Sequence, residues 1–311
     1  MNELDDIKKR LDAIKSFDLK VVNTDQIKKE LVQFDKQIAL TIELKKGTEI
    51  CRTRVIHDIG KGIPTSVDQI SYNPMPSREY GRANLIGETV FYGSLTTEKL
   101  KHYFNTSFEV FDFSERALEK QYFVTSKWIL QEDITVIDIG NNLLNDRQRA
   151  EKRKKFFDSI TTLTSNYLEC SKLFDEFIGT EFSKVVESGC NHLYKTSASY
   201  CSLMFSQGFK GILYSSVGSN GAGLNIVLDR SLIDEGFLIP QLAMFGTIYN
   251  RYGDYANEYS MKAIIENNIL RWKDTYDSLP PKMKLYYTGR SDDKSFQDKI
   301  PFEDLENDTH N

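Results

Sequence analysis

The chain is poor in the residues that most often announce chemistry. Its 311 residues include four histidines, four cysteines and seven prolines, and no apolar run approaches the roughly 20 residues a membrane helix needs. His57, His102, His192 and His310 lie too far apart for an HExxH-type ligand pair. Cys51, Cys170, Cys190 and Cys201 share no CxxC-like spacing, which argues against a cysteine-only zinc site and for reduced thiols. Positive charge is not in excess either. A formal net charge of -5 argues against broad nucleic-acid binding by charge alone. The acidic start, Met1-Asn2-Glu3-Leu4-Asp5-Asp6, lacks an apolar h-region, so the expectation is a cytoplasmic chain with no membrane segment.

What is present suits a folded enzyme-sized body. The length allows one large domain or two small ones around a sizeable core. Residues 3–34 read as helical, with Leu4, Ile7, Leu11 and Ile14 at three- and four-residue steps and Asn23-Thr24 as a cap before Ile27 and Leu31. From Gln37 the period becomes two. Ile38, Leu40, Ile42 and Leu44 alternate with small or polar residues, and Lys45-Lys46-Gly47 turns toward a strand at residues 49–55, a hairpin signature. Strands are expected at residues 89–92, 123–129 and 134–139. Helices are expected at residues 146–186 and 193–205. A buried strand follows at residues 211–214 with a neighbour at 225–228, then a last helix at residues 259–276, stopped by Pro280-Pro281. The acidic end, residues 302–308, reads as a frayed tail. The mixture is α+β, without the steady βαβ rhythm of a doubly wound sheet.

Gly218-Ser219-Asn220-Gly221-Ala222-Gly223 invites comparison with a dinucleotide fingerprint. Such a loop must open a helix whose N-terminus meets the pyrophosphate. Here the glycines lead into Asn225-Ile226-Val227-Leu228, a strand-like run, so the segment reads as a hairpin instead. Arg52 and Arg54 lie two apart on a strand and share a face. They are either an exposed edge pair or a fork for a phosphate-bearing ligand. Arg82 sits in the turn Gly81-Arg82-Ala83-Asn84, where Gly81 and Asn84 have a structural role under any function. Tyr92 lies in an apolar strand, where one hydrogen bond is the usual condition of burial. Ser215 and Ser216 close a strand, and no histidine is suitably placed in sequence for a catalytic triad.

Taken in order, Arg52, the 81–84 turn, Phe91-Tyr92-Gly93-Ser94 and Gly211-Ile212-Leu213-Tyr214-Ser215-Ser216 resemble the RES domain family, named for its Arg, Glu and Ser. The similarity spans roughly residues 46–228. It implies a central mixed or antiparallel sheet of ADP-ribosyltransferase-like type, with helical N-terminal, central and C-terminal additions. On that division residues 1–36 are an N-terminal extension, 37–240 the catalytic domain with an insertion at about 146–186, and 241–311 a helical segment and tail. The family's characterised members destroy NAD by cleaving its nicotinamide-ribose bond, and many are toxins held inactive by an antitoxin protein.

The resemblance also implies roles. Arg52 matches the first essential arginine, Arg82 the second, Tyr92 the pocket tyrosine and Ser216 the serine, and Asn84 closes the matched turn as a substrate-binding residue; Arg54, on the strand face of Arg52, is a further substrate-binding candidate. The usual spacing sets the glutamate near Tyr103, where no carboxylate stands. A short insertion at residues 100–104 brings Glu109 to that position, and Glu119 is the alternative. The expectation is therefore an NAD glycohydrolase or phosphorylase acting as a toxin or defence effector, with NAD as substrate and no further cofactor or metal. An ADP-ribosyltransferase acting on a macromolecule and an inactive nucleotide-binding module stay open. So do an antitoxin partner and homo-oligomer contacts.

Overall fold

The computed structural model describes residues 3–97, 101, 105–106, 109, 120–140, 147–160, 162–251, 254–274 and 285–288. Two helices open the chain. In α1 (Glu3–Lys15) Ile7, Leu11 and Ile14 are buried along one stripe. In α2 (Thr24–Leu31) Asn23 and Gln26 form a reciprocal capping box that satisfies two donors at the helix start. Further along stand α3 (Arg147–Ser159), α4 (Ser165–Ser183), α5 (Lys195–Ser206) and the short α6 (Ser231–Asp234). The expected helical regions at 3–34, 146–186 and 193–205 thus correspond to α1–α2, α3–α4 and α5.

The strands are β1 (Thr41–Leu44), β2 (Glu49–Ile56), β3 (Val90–Leu95), β4 (Lys120–Leu130), β5 (Ile134–Asp138), β6 (Gly211–Ser215), β7 (Leu224–Asp229), β8 (Leu238–Arg251), β9 (Asp254–Glu266), β10 (Ile269–Asp274) and β11 (Leu285–Thr288). They join in one mixed sheet ordered β1-β5-β6-β7-β3-β2-β4-β8-β9-β10, with β11 on β9. Among the described strands, only β5 and β6 run parallel. The fold is α+β, as expected.

Two sequence expectations fail here. Across the described residues 259–274 the expected helix at 259–276 is absent, and the C-terminal addition is not helical where it is described. β9 and β10 are antiparallel strands meeting at Glu266 and Ile269. The residues between them, Asn267 and Asn268, both have positive φ, 48° and 66°. That is the chemistry of a tight two-residue hairpin, and asparagine tolerates it better than most side chains. In β10 the buried or half-buried Leu270 and Trp272 alternate with exposed Arg271 and Lys273, a period of two. Nor do β1 and β2 form a hairpin. β1 pairs with β5 and β2 with β4, so the 45–48 turn carries the chain from one half of the sheet to the other. The β4–β5 link runs beside it, tied by Gly47 N to Leu130 O at 2.8 Å and Lys46 N to Asp133 Oδ1 at 2.7 Å.

The feature that positions everything else is a seam. β2 and β3 are neighbours, yet they pair at a single position, Cys51 with Ser94. On its other side β2 is paired with β4 along all eight residues. β3 is likewise paired with β7 over six. The sheet is therefore two half-sheets that part beyond Cys51. A core under α1, α2, α4 and α5 holds Ile27, Phe34, Phe182 and Ile212. A second core takes Ile50 and Trp128 from one half-sheet and Val136, Leu213 and Ile226 from the other, which keeps the halves together. The described cysteines are all free thiols.

Candidate functional site

Where the half-sheets part, a cavity of about 860 Å³ opens. Its walls include Arg52, Arg54, Arg82, Tyr92 and Glu109, five of the residues singled out from the sequence. These come from β2, the 81–84 turn, β3 and the segment around residue 109, so segments far apart in sequence meet there. Asn84 and Ser216 are not on the wall. Glu119 lies outside the described residues.

The arginines are held by main-chain oxygens, not by acids. Arg52 Nε donates to the Ser71 carbonyl at 3.0 Å and Nη1 to the Tyr92 carbonyl at 2.8 Å, with the guanidinium over the Phe91 ring. The Tyr92 carbonyl is a strand group at the seam, so Arg52 fills a ladder position that β2 leaves open. Arg54 Nη1 donates to the Gln69 carbonyl at 2.8 Å. Arg82 donates to the Phe182 carbonyl and, at 3.0 Å, to the Lys184 carbonyl, where α4 ends. It also lies over the Tyr194 ring, 5.0 Å from its centroid. The α3–α4 insertion thus helps to aim a cavity arginine. None of the three pairs with a carboxylate among the described residues. Burial, reinforced by Arg54, pulls the Arg52 guanidinium down to about 10, and burial lowers Arg54 as well. Cations placed this way favour an anionic ligand.

Tyr92 serves the turn more than the cavity. Its hydroxyl accepts from Ala83 N at 2.8 Å and donates to Asn84 Oδ1 at 2.9 Å. The Asn84 amide donates to the Glu79 and Leu85 carbonyls. A Cβ on Gly81 would stand 2.2 Å from Asn84 Oδ1 and 2.8 Å from the Tyr92 hydroxyl. Only glycine fits. Asn84, assigned to substrate binding by the resemblance, has its polar atoms committed to this turn and so holds Arg82 in place from behind. The polar tip of Tyr92 is likewise committed, while its ring remains on the wall.

Glu109 is the one acidic side chain on the described cavity wall. Its Oε1 accepts from the Ser216 hydroxyl at 2.5 Å and from Gly218 N at 3.3 Å. Ser216 in turn accepts from Ser219 N at 3.1 Å. The serine is fully buried and faces the carboxylate, not the cavity, so it acts by fixing Glu109. The Gly218–Gly223 stretch is a turn between β6 and β7, as the sequence indicated, and its backbone grips this carboxylate.

Shortly before Glu109 in sequence, Asn105 and Thr106 bridge the seam in roles that sequence reading missed. Thr106 Oγ1 accepts from Thr53 N at 2.9 Å, capping β2 on its open edge. Asn105 Nδ2 donates to Asn225 Oδ1 at 2.7 Å and to Ser94 Oγ at 3.0 Å on the other half-sheet. Isolated Asn and Thr residues carry no periodic signal, so only the fold reveals them. Tyr194 and Tyr214 also line the cavity. Tyr214 lay within a quoted motif but was read as strand core.

Chemically, the arrangement offers fixed cations, one carboxylate held by hydrogen bonds, and aromatic walls. No group of three or more His, Cys, Asp or Glu among the described residues is placed to hold a metal ion. No described helix is long and apolar enough to cross a membrane. No protein-family model and no curated protein matches the chain.

Proposed function

We propose that the seam cavity binds NAD and cleaves its nicotinamide-ribose bond. The observation that carries this reading is the shared wall: a carboxylate clamped by Ser216 and Gly218 faces the same space as Arg52, Arg54 and Arg82. A dinucleotide presents both charges such a wall requires, phosphates for the guanidiniums and a sugar that becomes cationic as it reacts.

The chemistry asks little of acid catalysis. The pyridinium leaves as neutral nicotinamide and takes its bonding electrons, so no proton must be delivered to it. The barrier is positive charge growing on the ribose ring in an oxocarbenium-like state. Glu109, its Oε1 fixed by two donors, would stabilise that charge without having to reorganise. The arginines would anchor the pyrophosphate and set the angle of departure. Water or phosphate then adds to the exposed carbon, giving ADP-ribose or its 1-phosphate.

Incubating the purified protein with NAD and identifying products by mass tests the reading. Loss of NAD with release of nicotinamide is the expected result, abolished in Glu109→Gln with the fold intact. NAD left untouched by the wild-type protein, with and without phosphate, would reject the activity.

A further inference from the structure

Tyr214 brings to the cavity wall a polar group with no internal use. Tyr214, in β6, is only 4% exposed, and its hydroxyl makes no hydrogen bond among the described residues. The ring is firmly seated, packed against Phe182 with centroids 5.2 Å apart. A phenylalanine would fill that space equally well. The hydroxyl is not among the fully enclosed polar atoms left without a partner, so it opens onto the cavity, where a ligand can reach it. Its neighbour Tyr92 shows the contrast, with a hydroxyl saturated by Ala83 N and Asn84. Tyr214 is the one buried aromatic side chain among the described wall residues, and its polar tip is uncommitted.

We infer that Tyr214 is a substrate-contacting residue whose hydroxyl hydrogen-bonds a ribose hydroxyl of an ADP-ribosyl group lying beside Glu109. This rests on the NAD reading and deepens it. A carboxylate can only accept hydrogen bonds, whereas a neutral phenol can donate. Burial keeps the Tyr214 phenol protonated, and Glu109 and Arg82 both act on it electrostatically. A vicinal diol suits that pair: one hydroxyl donates to the carboxylate while its neighbour accepts from the phenol. Selection for a sugar, instead of a bare phosphate, follows from having an uncharged donor at this depth.

Tyr214→Phe isolates the hydroxyl. Thermal unfolding of the variant should be unchanged or slightly raised, because no internal bond is lost. Its Kd for ADP-ribose, measured by calorimetry, should rise about tenfold, while the weak binding of nicotinamide alone stays as in wild type. Equal ADP-ribose affinity in the two proteins would overturn the assignment and leave the NAD reading standing. Loss confined to nicotinamide would overturn the ribose contact in favour of the leaving group. A wild-type protein that binds neither NAD nor ADP-ribose would remove both proposals together.

Discussion

The Ser216 hydroxyl lies 2.5 Å from Glu109 Oε1 and donates to it, while its own oxygen accepts from Ser219 N. The serine is fully buried and off the described cavity wall, so its worth lies in fixing the acid. Ser216→Ala should lower NAD turnover by about tenfold to a hundredfold, the span expected for one hydrogen bond to a charged group. KM should change far less. Steady-state kinetics separates the two, and a variant altered in KM alone would place the serine against substrate instead.

Tyr92→Phe should behave in the opposite way. Its hydroxyl is spent on Ala83 N and Asn84, so the variant loses two internal bonds at the turn that carries Arg82. Urea unfolding should show a loss of about 1–3 kcal/mol. Weaker NAD binding would accompany it only to the extent that Arg82 shifts.

Gly223→Ala tests the pin across the seam. An added Cβ would stand 1.8 Å from Asn105 Oδ1 and 2.1 Å from its Cγ, closer than any real contact. The asparagine must move, which disturbs the Asn105 contacts four residues before Glu109 in sequence. Turnover should be lost while circular dichroism stays near wild type, because both cores lie elsewhere. Full activity in this variant would show that Asn105 need not be held there.

Arg52 gives a pH dependence. Burial and Arg54 bring it down to about 10, so at neutral pH the cation is still fully charged. A bound anion favours the charged form and raises this value again. Affinity for ADP-ribose should therefore be flat from roughly pH 7 to 9 and fall as pH climbs through about 10. In the empty protein the sign is that of a base whose folded value is depressed. Burying the cation costs stability below about pH 10, and that cost is relieved as Arg52 loses its proton. Isothermal titrations across this range check the binding limb.

The thiols should divide sharply. Cys51, Cys170 and Cys201 are buried, and burial pushes each thiol up, which removes the reactive thiolate. Cys190 is half-buried at the end of a loop. A thiol reagent at about pH 8 should modify about one cysteine in the native protein and all of them in urea. Rapid native modification of Cys201 would mean that the core beneath α5 opens readily.

Much of the fold can be read along the chain, and the exceptions have physical causes. α1, α2 and α4 are marked by apolar stripes, α2 and α4 also by caps, and β6–β7 by apolar runs around a glycine-rich turn. Residues 259–276 mislead because Met261, Ile264 and Ile265 happen to fall at helical steps, whereas Asn267-Asn268 carries the turn. The partners of β1 and β2 are decided by a crossing between half-sheets that no local pattern records. At the site, strand alternation placed Arg52 and Arg54 on one face, and both do meet the cavity. The direction in which Ser216, Asn84 and the Tyr92 hydroxyl turn is a matter of tertiary hydrogen bonding, so residue type alone could not assign it. The bridging roles of Asn105 and of Thr106, which opens the stretch matched to the glutamate segment, left no trace in the sequence.

The parted edge between β2 and β3 has a cost that chemistry happens to meet. Separated strands strand amide and carbonyl groups, and here a threonine hydroxyl and a guanidinium stand in for the absent ladder, Thr106 to Thr53 N and Arg52 to the Tyr92 carbonyl. Side chains that close this gap are thereby recruited to two tasks at once. Changes at residues 52 and 106 should loosen the protein and blunt its reaction in step, and a ligand that bridges the opening should raise the melting temperature of the whole molecule.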